Sequence, residues 1–304
     1  MSPMPKHRQC GAMEVYNRIS EETPSFRTNQ AKIQTFTETA ITSGEAARVA
    51  RRSITIPTVV HVVYKRNPEN ISKRQINSQI TALNRDFRAR NDDKSNVPSI
   101  WTGLVADAKV TFALASKDPK GRPTNGVTRT QTQRDSFGQD DSVKKRSTGG
   151  ASPWPTDRYL NLWVCTLEGT LLGYAQFPGG PARTDGVVVR NTAFGTTGTA
   201  ARPFHLGRTT THEVGHWLNL RHIWGGDYVS CTDSDNCSDT PNQKGPNVGK
   251  PSFPVISCNN GPSGDMFMNY MDYVDDAAMF MFTPGQAIRM NATLAGPRKK
   301  LAGL

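Results

Sequence analysis

The sequence predicts an α+β fold, and three observations along the chain of 304 residues support that prediction. Residues 1–52 are polar, whereas residues 54–64 are β-branched and apolar, which is typical of a buried strand. A segment of helical periodicity and further strand candidates follow. Beyond residue 225 the chain is rich in Gly, Asp, Asn and Pro, with little regular pattern. We therefore expect an N-terminal subdomain of mixed twisted sheet and helices, and an irregular, loop-rich C-terminal subdomain.

Each element of this fold is predicted from a local pattern. After the strand at 54–64, Ser72 can cap a helix. The apolar face of that helix is formed by Ile76, Ile80, Leu83 and Phe87. Further strands are predicted at 110–115, 159–167 and 186–190. Residues 171–177 form a shorter predicted strand that Pro178 ends, which favours a sheet edge, and a terminal helix is predicted near 284–295.

The formal net charge of +11 raises the question of a nucleic-acid partner. The basic residues are scattered, however, with short clusters at 144–146 and 298–300 and no basic stripe interleaved with aromatic residues. We therefore expect a solvated basic surface and no nucleic-acid partner, with a basic nucleic-acid-binding protein as an alternative. Since no apolar run approaches the length of a membrane span, no membrane partner is expected either.

Residues 211–222, Thr-His-Glu-Val-Gly-His-Trp-Leu-Asn-Leu-Arg-His, are the most informative stretch of the sequence. On a helix, His212 and His216 lie one turn apart and can face a single ion. The carboxylate of Glu213 can reach a metal-bound water without being a ligand itself. The alternative interpretation is an ordinary amphipathic helix that carries surface histidines.

A third histidine at residue 222 favours a catalytic zinc site. Because a continued helix would rotate His222 away from the ion, the helix must break after His216. Asn219 stands at that point, and Asn tolerates the left-handed conformation better than any residue except Gly. Three imidazoles would leave the fourth position of a tetrahedral zinc ion open, as catalysis requires.

Together with the later segment Asn269-Tyr270-Met271-Asp272-Tyr273, this motif makes the sequence similar to the metzincin metallopeptidases. The residues of both segments resemble those of the pappalysin family, and within it the ulilysin and cytophagalysin-like branch. The likeness runs from about Ile54 to Met290. It implies a metzincin-type zincin fold and a zinc-dependent endopeptidase that acts on proteins or peptides.

The resemblance also implies roles for three residues of the C-terminal subdomain. Met271 would form an apolar floor beneath the metal, with plain core packing as the alternative. Tyr273 would help to stabilise the oxyanion. Asp276 would lie at the base of the S1′ pocket and pair with a substrate guanidinium, which favours cleavage before Arg over cleavage before Lys. The alternative is a solvated turn aspartate, with the adjacent Asp275 as the inward one.

Residues 8–11, Arg-Gln-Cys-Gly, resemble the cysteine switch of the family. The thiolate of Cys10 would be the fourth zinc ligand of a latent precursor. An enzyme that prefers Arg could then release the inhibitory segment by cutting before Arg51 or Arg52. An unpaired surface cysteine in a flexible tail is the alternative. The predicted divisions of the chain are a prosegment (1–52) and a catalytic domain (53–304), with subdomains at 53–218 and 219–304.

An acidic loop follows the zinc motif, and oxygen-rich loops suit calcium. Its residues do not match the spacing of an EF-hand. By the resemblance, Asp235 and Thr240 are calcium ligands, and a carbonyl near Ser238 assists them. A merely solvated acidic loop is the alternative.

The cysteines other than Cys10 are interpreted partly through the resemblance. Cys231 and Cys258 match a disulfide of the family. Ala278 stands where a second bridge would need a cysteine, so Cys237 is an unexplained thiol. Cys165 lies within a strand pattern and is predicted to be a buried small apolar residue. We expect a secreted protein, although the N-terminal residues lack the apolar core of a signal peptide.

The predicted reaction is metal-assisted hydrolysis of a peptide bond. Glu213 would act as general base toward the attacking water and then protonate the leaving nitrogen, and Tyr273 would hold the oxyanion. The edge strand at 171–177 would add the extended substrate to the sheet. The expected partners are protein or peptide substrates and the prosegment as an inhibitor. A zinc-binding protein that has lost catalysis is the alternative.

Overall fold

A computed structural model describes residues 5–226 and 230–303 of the chain. Its α-helices are α1 (Ala12–Glu22), α2 (Pro24–Thr42), α3 (Glu45–Val49), α4 (Lys73–Asp86), α5 (Arg208–Trp217) and α6 (Pro284–Ala295). Its strands are β1 (Ile54–Tyr64), β2 (Val110–Leu114), β3 (Val127–Gln131), β4 (Leu160–Cys165), β5 (Gly173–Ala175), β6 (Val187–Arg190), β7 (Val248–Gly249) and β8 (Tyr273–Val274). Within the described ranges, the helices are too short or too polar to cross a membrane.

Six of the strands form a mixed sheet with the long strand β1 in its interior. The first half of β1 pairs in parallel with β2, its second half pairs in parallel with β3, and β4 lies in parallel along its other side. β6 follows β4 in parallel, and β5 pairs antiparallel with β6 at the sheet edge. The predicted α+β fold and the edge position of the strand around Gly173 are thus confirmed.

The strands β4 and β6 and most of β1 are buried on both faces of the sheet, which explains why they are apolar runs rather than alternating sequences. Val60 and Val62 of β1 belong to the core shared with α4 and α5. Val63, one residue further on, points to the opposite face and belongs to a second core with Val15 and Ile19 of α1. The strands therefore hold α5 on one face and the N-terminal segment on the other.

The predicted helices begin where the sequence indicates. The hydroxyl of Ser72 accepts a hydrogen bond from the Gln75 amide at 3.1 Å and so caps α4. Thr283 and Gln286 form a reciprocal capping box at the start of α6. β3 lies outside the predicted strands, because its Thr, Arg and Gln residues give no apolar alternation and its pairing with β1 determines its conformation.

Residues 12–49 form three helices, which the polar composition of this segment does not predict. Tyr16 of α1 packs edge-on against Phe177, just beyond β5, with ring centroids 5.7 Å apart. Phe36 and Ala40 of α2 pack against Ala292 of α6. The segment is therefore docked on the rest of the protein at two separate places, and a flexible tail does not describe it.

His61 is a buried histidine of β1 whose neutral form the structure favours. Its Nε2 donates a hydrogen bond to Asn161 Oδ1 at 2.9 Å, and its Nδ1 accepts one from the Thr128 hydroxyl at 2.7 Å. Burial lowers the pKa of His61 from 6.5 to about 4. Since the pKa is depressed by folding, the stability that this site contributes is complete above pH 6.5 and is lost as the pH falls through 4.

Replacing His61 with Gln is therefore expected to make the protein less sensitive to acid. Between pH 7 and pH 4, the wild type should lose about 3 kcal/mol more of its free energy of unfolding than His61→Gln does. Denaturant titrations of both proteins at the two pH values measure this difference. Equal losses in the two proteins would show that His61 is not held neutral by the fold.

Candidate active site

The three histidines of the sequence motif converge at the C-terminal end of α5. His212 and His216 lie on this helix, which ends at Trp217. Asn219 adopts a left-handed φ of 72°, and the chain turns back to bring His222 to the other two rings. The Nε2 atoms of His212 and His222 each lie 3.1 Å from Nε2 of His216. All three side chains are buried.

Backbone carbonyls determine the tautomers of two of these rings. Nδ1 of His212 donates to the Tyr270 carbonyl at 2.7 Å, and Nδ1 of His216 donates to the Leu220 carbonyl at 2.8 Å. Because a carbonyl can only accept, each ring carries its proton on Nδ1 and directs an Nε2 lone pair inward. Burial lowers the pKa of all three histidines, which keeps them neutral. Facing lone pairs at this distance repel one another unless a cation lies between them.

A zinc ion suits this set of donors. Zn–N bonds of about 2.0–2.1 Å at tetrahedral angles place the nitrogens about 3.3–3.4 Å apart, which is close to the observed spacing. The sulfur of Cys10 lies with the three histidine nitrogens in a group whose atoms are all within 4.8 Å of one another. In residues 5–226 and 230–303 this is the one such group of His, Cys, Asp and Glu side chains.

Glu213 lies beside the same point. Its Oε2 accepts a hydrogen bond from the Cys10 thiol, with 3.3 Å between oxygen and sulfur. Burial raises the pKa of Glu213 to about 8. Burial, and then the Glu213 carboxylate, raise the pKa of Cys10 well above its ordinary value. Both groups therefore need a neighbouring cation to ionise readily near neutral pH.

Met271 and Tyr273 border the converging histidines. Met271 is fully buried, and a methyl group placed on Gly215 of α5 would lie 2.5 Å from its sulfur, so the methionine packs directly against the helix. The ring of Tyr273 meets the His222 ring edge to face, with centroids 4.9 Å apart. Its hydroxyl donates to the Cys10 carbonyl at 3.3 Å. The roles assigned to these two residues stay predictions.

The side chain of Arg8 fills a buried pocket next to the histidines, and Asp276 lies at the end of that pocket. Arg8 Nη2 is 2.7 Å from Asp276 Oδ1, and both side chains are almost fully buried. The other carboxylate oxygen accepts hydrogen bonds from the amides of Leu206 at 2.7 Å and Arg208 at 3.3 Å. Of the two adjacent acids, Asp276 is the buried one, whereas Asp275 is partly exposed.

Three further groups of the pocket complement the guanidinium. Arg8 Nη1 donates to the Thr209 hydroxyl at 3.0 Å, and its Nε donates to the Val274 carbonyl at 3.2 Å. The ring of Phe204 lies 5.0 Å from the guanidinium carbon. The sequence indicates Arg8 only as the first residue of the motif that resembles the cysteine switch, and it does not indicate Thr209 or Phe204 as parts of the site. The sequence does contain a signal for Arg8, because it stands two residues before Cys10 and the resemblance implies that Asp276 pairs with an arginine.

The residues around Cys10 lie along β5 as an added strand. Cys10 pairs in parallel with Gly173. The Leu172 amide donates to the Gln9 carbonyl at 3.0 Å, and the Gly11 amide donates to the Gly173 carbonyl at 2.9 Å. The edge strand thus binds an extended peptide, and that peptide is the N-terminal segment of the chain itself.

The remaining predicted residues are the other cysteines and the acidic loop. Cys231 and Cys258 form a disulfide with Cα atoms 5.2 Å apart, in agreement with the resemblance. In the acidic loop, Asp235 Oδ1 accepts a hydrogen bond from the Thr240 hydroxyl at 2.8 Å. Ser238 is exposed. Calcium binding by this loop stays a prediction. The free cysteines Cys165 and Cys237 are both buried.

The chain is similar to known metalloproteases in sequence and in structure. Residues 144–295 match the model of peptidase family M43, described as pregnancy-associated plasma protein-A. An extracellular metalloprotease of Arthroderma benhamiae is 34% identical over 244 residues, which cover 78% of this chain and 76% of the relative. A promirolysin mutant of Tannerella forsythia superposes with a TM-score of 0.89 at 45% identity, covering 97% of each chain. Mature mirolysin of Tannerella forsythia, in complex with a cleaved peptide, gives a TM-score of 0.80 at 52% identity over 82% of this chain and 96% of that one.

These likenesses agree with the histidine site, because the matched region contains α5 and the turn that follows it. They also agree with the α+β architecture, since the promirolysin structure covers nearly the whole chain. The chain therefore belongs to the pregnancy-associated plasma protein-A family of metalloendopeptidases, peptidase family M43.

Proposed function

We propose that this protein is a zinc-dependent endopeptidase that cleaves on the N-terminal side of Arg and is held latent by residues 1–52. One observation carries the proposal. The guanidinium of Arg8 fills a pocket that ends in Asp276, and two residues later the Cys10 thiol lies among three convergent imidazoles. A deep acidic pocket beside a metal site is suited to a substrate arginine next to the scissile bond. The catalytic domain would comprise residues 53–304, with subdomains at 53–218 and 219–304.

In this proposal His212, His216 and His222 hold the zinc ion, and Cys10 is its fourth ligand in the latent form. When bound, zinc supplies a Lewis acid for the attacking water and the scissile carbonyl. After Cys10 has left, Glu213 would accept the proton of that water and return it to the leaving nitrogen.

Two residues beside the histidines would support this chemistry. The Tyr273 hydroxyl, which now donates to the Cys10 carbonyl, would donate to the oxyanion. Met271 would form the apolar floor of the site against α5.

The contacts of Arg8 support a preference for Arg over Lys. Its guanidinium uses three different nitrogens for the Asp276 carboxylate, the Thr209 hydroxyl and the Val274 carbonyl. An ammonium group is a compact charge on a flexible stem and does not reproduce this planar set of contacts. Lysine is therefore expected to be accepted more weakly at the same position.

The direction of the prosegment supports latency. Along the chain, Arg8 in the acidic pocket precedes Cys10 at the metal site, and this stretch runs parallel to β5. In a substrate, the arginine follows the scissile bond, so the chain would pass the metal site first and reach the pocket of Asp276 after it. Such a substrate would run antiparallel to β5. The prosegment would thus fill the cleft in the reverse direction, with a thiol where a substrate presents its carbonyl.

Contacts outside the cleft also hold the prosegment. Arg18 of α1 forms an ion pair with Asp141 at 2.6 Å, and Gln34 of α2 accepts a hydrogen bond from Arg289 at 2.7 Å. Arg51 and Arg52 follow α3 and are exposed. Their exposure supports self-cleavage there, which would separate the prosegment from the catalytic domain.

We also propose that Asp235, Thr240 and the carbonyl region near Ser238 bind calcium as a structural ion. Asp235 is buried, and its Oδ2 has no hydrogen-bond partner in the described part of the chain. Burial raises the pKa of Asp235 to about 7. A cation beside the carboxylate would compensate for its burial.

An extracellular site of action is part of the proposal. The curated relatives of the chain include proteins named extracellular metalloproteases. The disulfide between Cys231 and Cys258 supports an oxidising environment.

Peptide profiling with metal removal tests the proposed function. Processed enzyme is incubated with a proteome-derived peptide mixture, and the new N-termini are identified by mass spectrometry. We expect them to begin with Arg, and we expect cleavage to stop after chelator treatment and to return with added zinc. Enrichment of a different residue would contradict the assigned pocket, and chelator-resistant cleavage would contradict the zinc mechanism.

A further inference from the structure

The C-terminal end of α5 is capped by side chains of α6 and of the turn after it. A helix leaves its last carbonyls without partners inside the helix. Here three consecutive carbonyls at the helix break each accept one hydrogen bond from a buried side chain. The contacts are Arg298 Nε to Trp217 O at 2.9 Å, Thr293 Oγ1 to Leu218 O at 3.1 Å, and Arg289 Nε to Asn219 O at 2.8 Å.

His222 depends on this turn more than the other two histidines do. The Nδ1 atoms of His212 and His216 are fixed by carbonyls, as described above. Nδ1 of His222 has no hydrogen-bond partner in the described part of the chain. Its ring is stacked on Trp224, with centroids 4.4 Å apart and an angle of 8° between the planes. The position of His222 therefore depends on its backbone. The turn at Asn219 leads into it, and beyond it the Gly225 amide donates to the His222 carbonyl at 2.8 Å and the Ile223 amide to the Met271 carbonyl at 3.3 Å.

We propose that Arg289 is a positioning residue for the metal site. By holding the Asn219 carbonyl, its guanidinium fixes the left-handed turn that delivers His222. The residue after Asn219 is Leu220, whose carbonyl orients the His216 ring, so the same turn serves two of the three imidazoles. Arg289 acts on the site through the backbone of the turn, while its Nη2 donates to Gln34 of α2 at 2.7 Å. The inference rests on the proposed function, because it requires His222 to be a metal ligand.

The affinity for zinc distinguishes two roles for Arg289, namely positioning of the histidine ligands and general stabilisation of the fold. The full chain, with Cys10→Ala as the common background of all the proteins compared so that the N-terminal segment supplies no zinc ligand, is titrated with zinc in competition with a chromophoric chelator. Arg289→Gln is expected to bind zinc on the order of 10- to 100-fold more weakly than the wild type, which is typical of lost outer-shell support. Arg289→Lys keeps one donor and is expected to lie between the two.

Asn291 provides a matched control on the same helix. It is buried, and its side chain donates to the Ala108 carbonyl at 3.1 Å, away from the end of α5. Asn291→Ala is therefore expected to lower the melting temperature without changing the affinity for zinc. If Arg289→Gln behaves like this control, Arg289 only supports the fold and the proposal is overturned.

Arg289→Lys and His222→Ala complete the test. If Arg289→Gln does not fold, Arg289→Lys replaces it, and an unchanged zinc affinity in that variant overturns the proposal. His222→Ala tests the underlying assignment. If His222→Ala binds zinc like the wild type, the proposed metal site itself fails. If it binds weakly while the Arg289 variants bind normally, only the positioning role fails.

Discussion

Replacing Glu213 with Gln is expected to lower kcat for peptide hydrolysis by a factor on the order of 10² to 10⁴, while zinc stays bound. The amide has the size of the carboxylate but cannot accept a proton from the attacking water. The variant precursor cannot process itself, so it is cut with a trace of tagged wild-type enzyme that is then removed. A fluorogenic peptide with a single arginine measures kcat.

Zinc content is the control for this experiment. The three histidines rather than Glu213 are proposed to hold the ion, so Glu213→Gln should contain as much zinc per chain as the wild type. An unimpaired kcat would refute the role of Glu213 as general base. A metal-free variant would instead show that Glu213 is needed for zinc binding, which also contradicts the assignment.

Replacing Asp276 with Asn is expected to lower kcat/KM for cleavage before Arg by roughly 30- to 1,000-fold. The guanidinium of Arg8 is almost fully buried in this pocket, and removing one partner of a buried charge pair costs about 2–4 kcal/mol. Peptides with citrulline in place of Arg carry the same shape without the charge. The wild type should strongly prefer Arg to citrulline, and Asp276→Asn should not distinguish between them.

Asp275→Asn is the matched control, because Asp275 is adjacent and only partly buried. It should retain the wild-type ratio between the two peptides. Cys10→Ser provides a second comparison, since it should shorten the latent phase of the precursor and leave the preference of the processed enzyme unchanged. If Asp276→Asn still prefers Arg, the pocket occupied by Arg8 is not the specificity pocket.

Local chemistry made the central part of the site predictable. The spacing of His212 and His216 reflects the helical repeat, and Asn219 marks the break because few residues tolerate a positive φ. The edge position of β5 was predicted from Pro178, which cannot continue a paired strand. In each case one residue type strongly favours one backbone conformation, so the local sequence is sufficient to predict that feature.

Contacts between distant segments were not predictable in the same way. Arg8 and Asp276 are separated by 268 positions, and nothing in the local pattern of either residue joins them. The helices of the N-terminal segment also escaped prediction. Their buried face in α2 consists of Phe26, Ile33, Thr37 and Ala40, which are too widely spaced and too small to give a clear apolar stripe. Docking on α6 supplies the stabilisation that the local sequence lacks.

The N-terminal segment contacts the rest of the protein at three separate places. Arg8, Arg18 and Gln34 contact Asp276, Asp141 and Arg289, respectively, and all three lie before Arg51. A single cut before Arg51 breaks none of these contacts. The N-terminal segment would therefore remain bound as a separate peptide. Freshly cut enzyme would then remain inactive at high protein concentration. Peptide hydrolysis would begin only after dilution, or after the bound N-terminal segment had itself been digested.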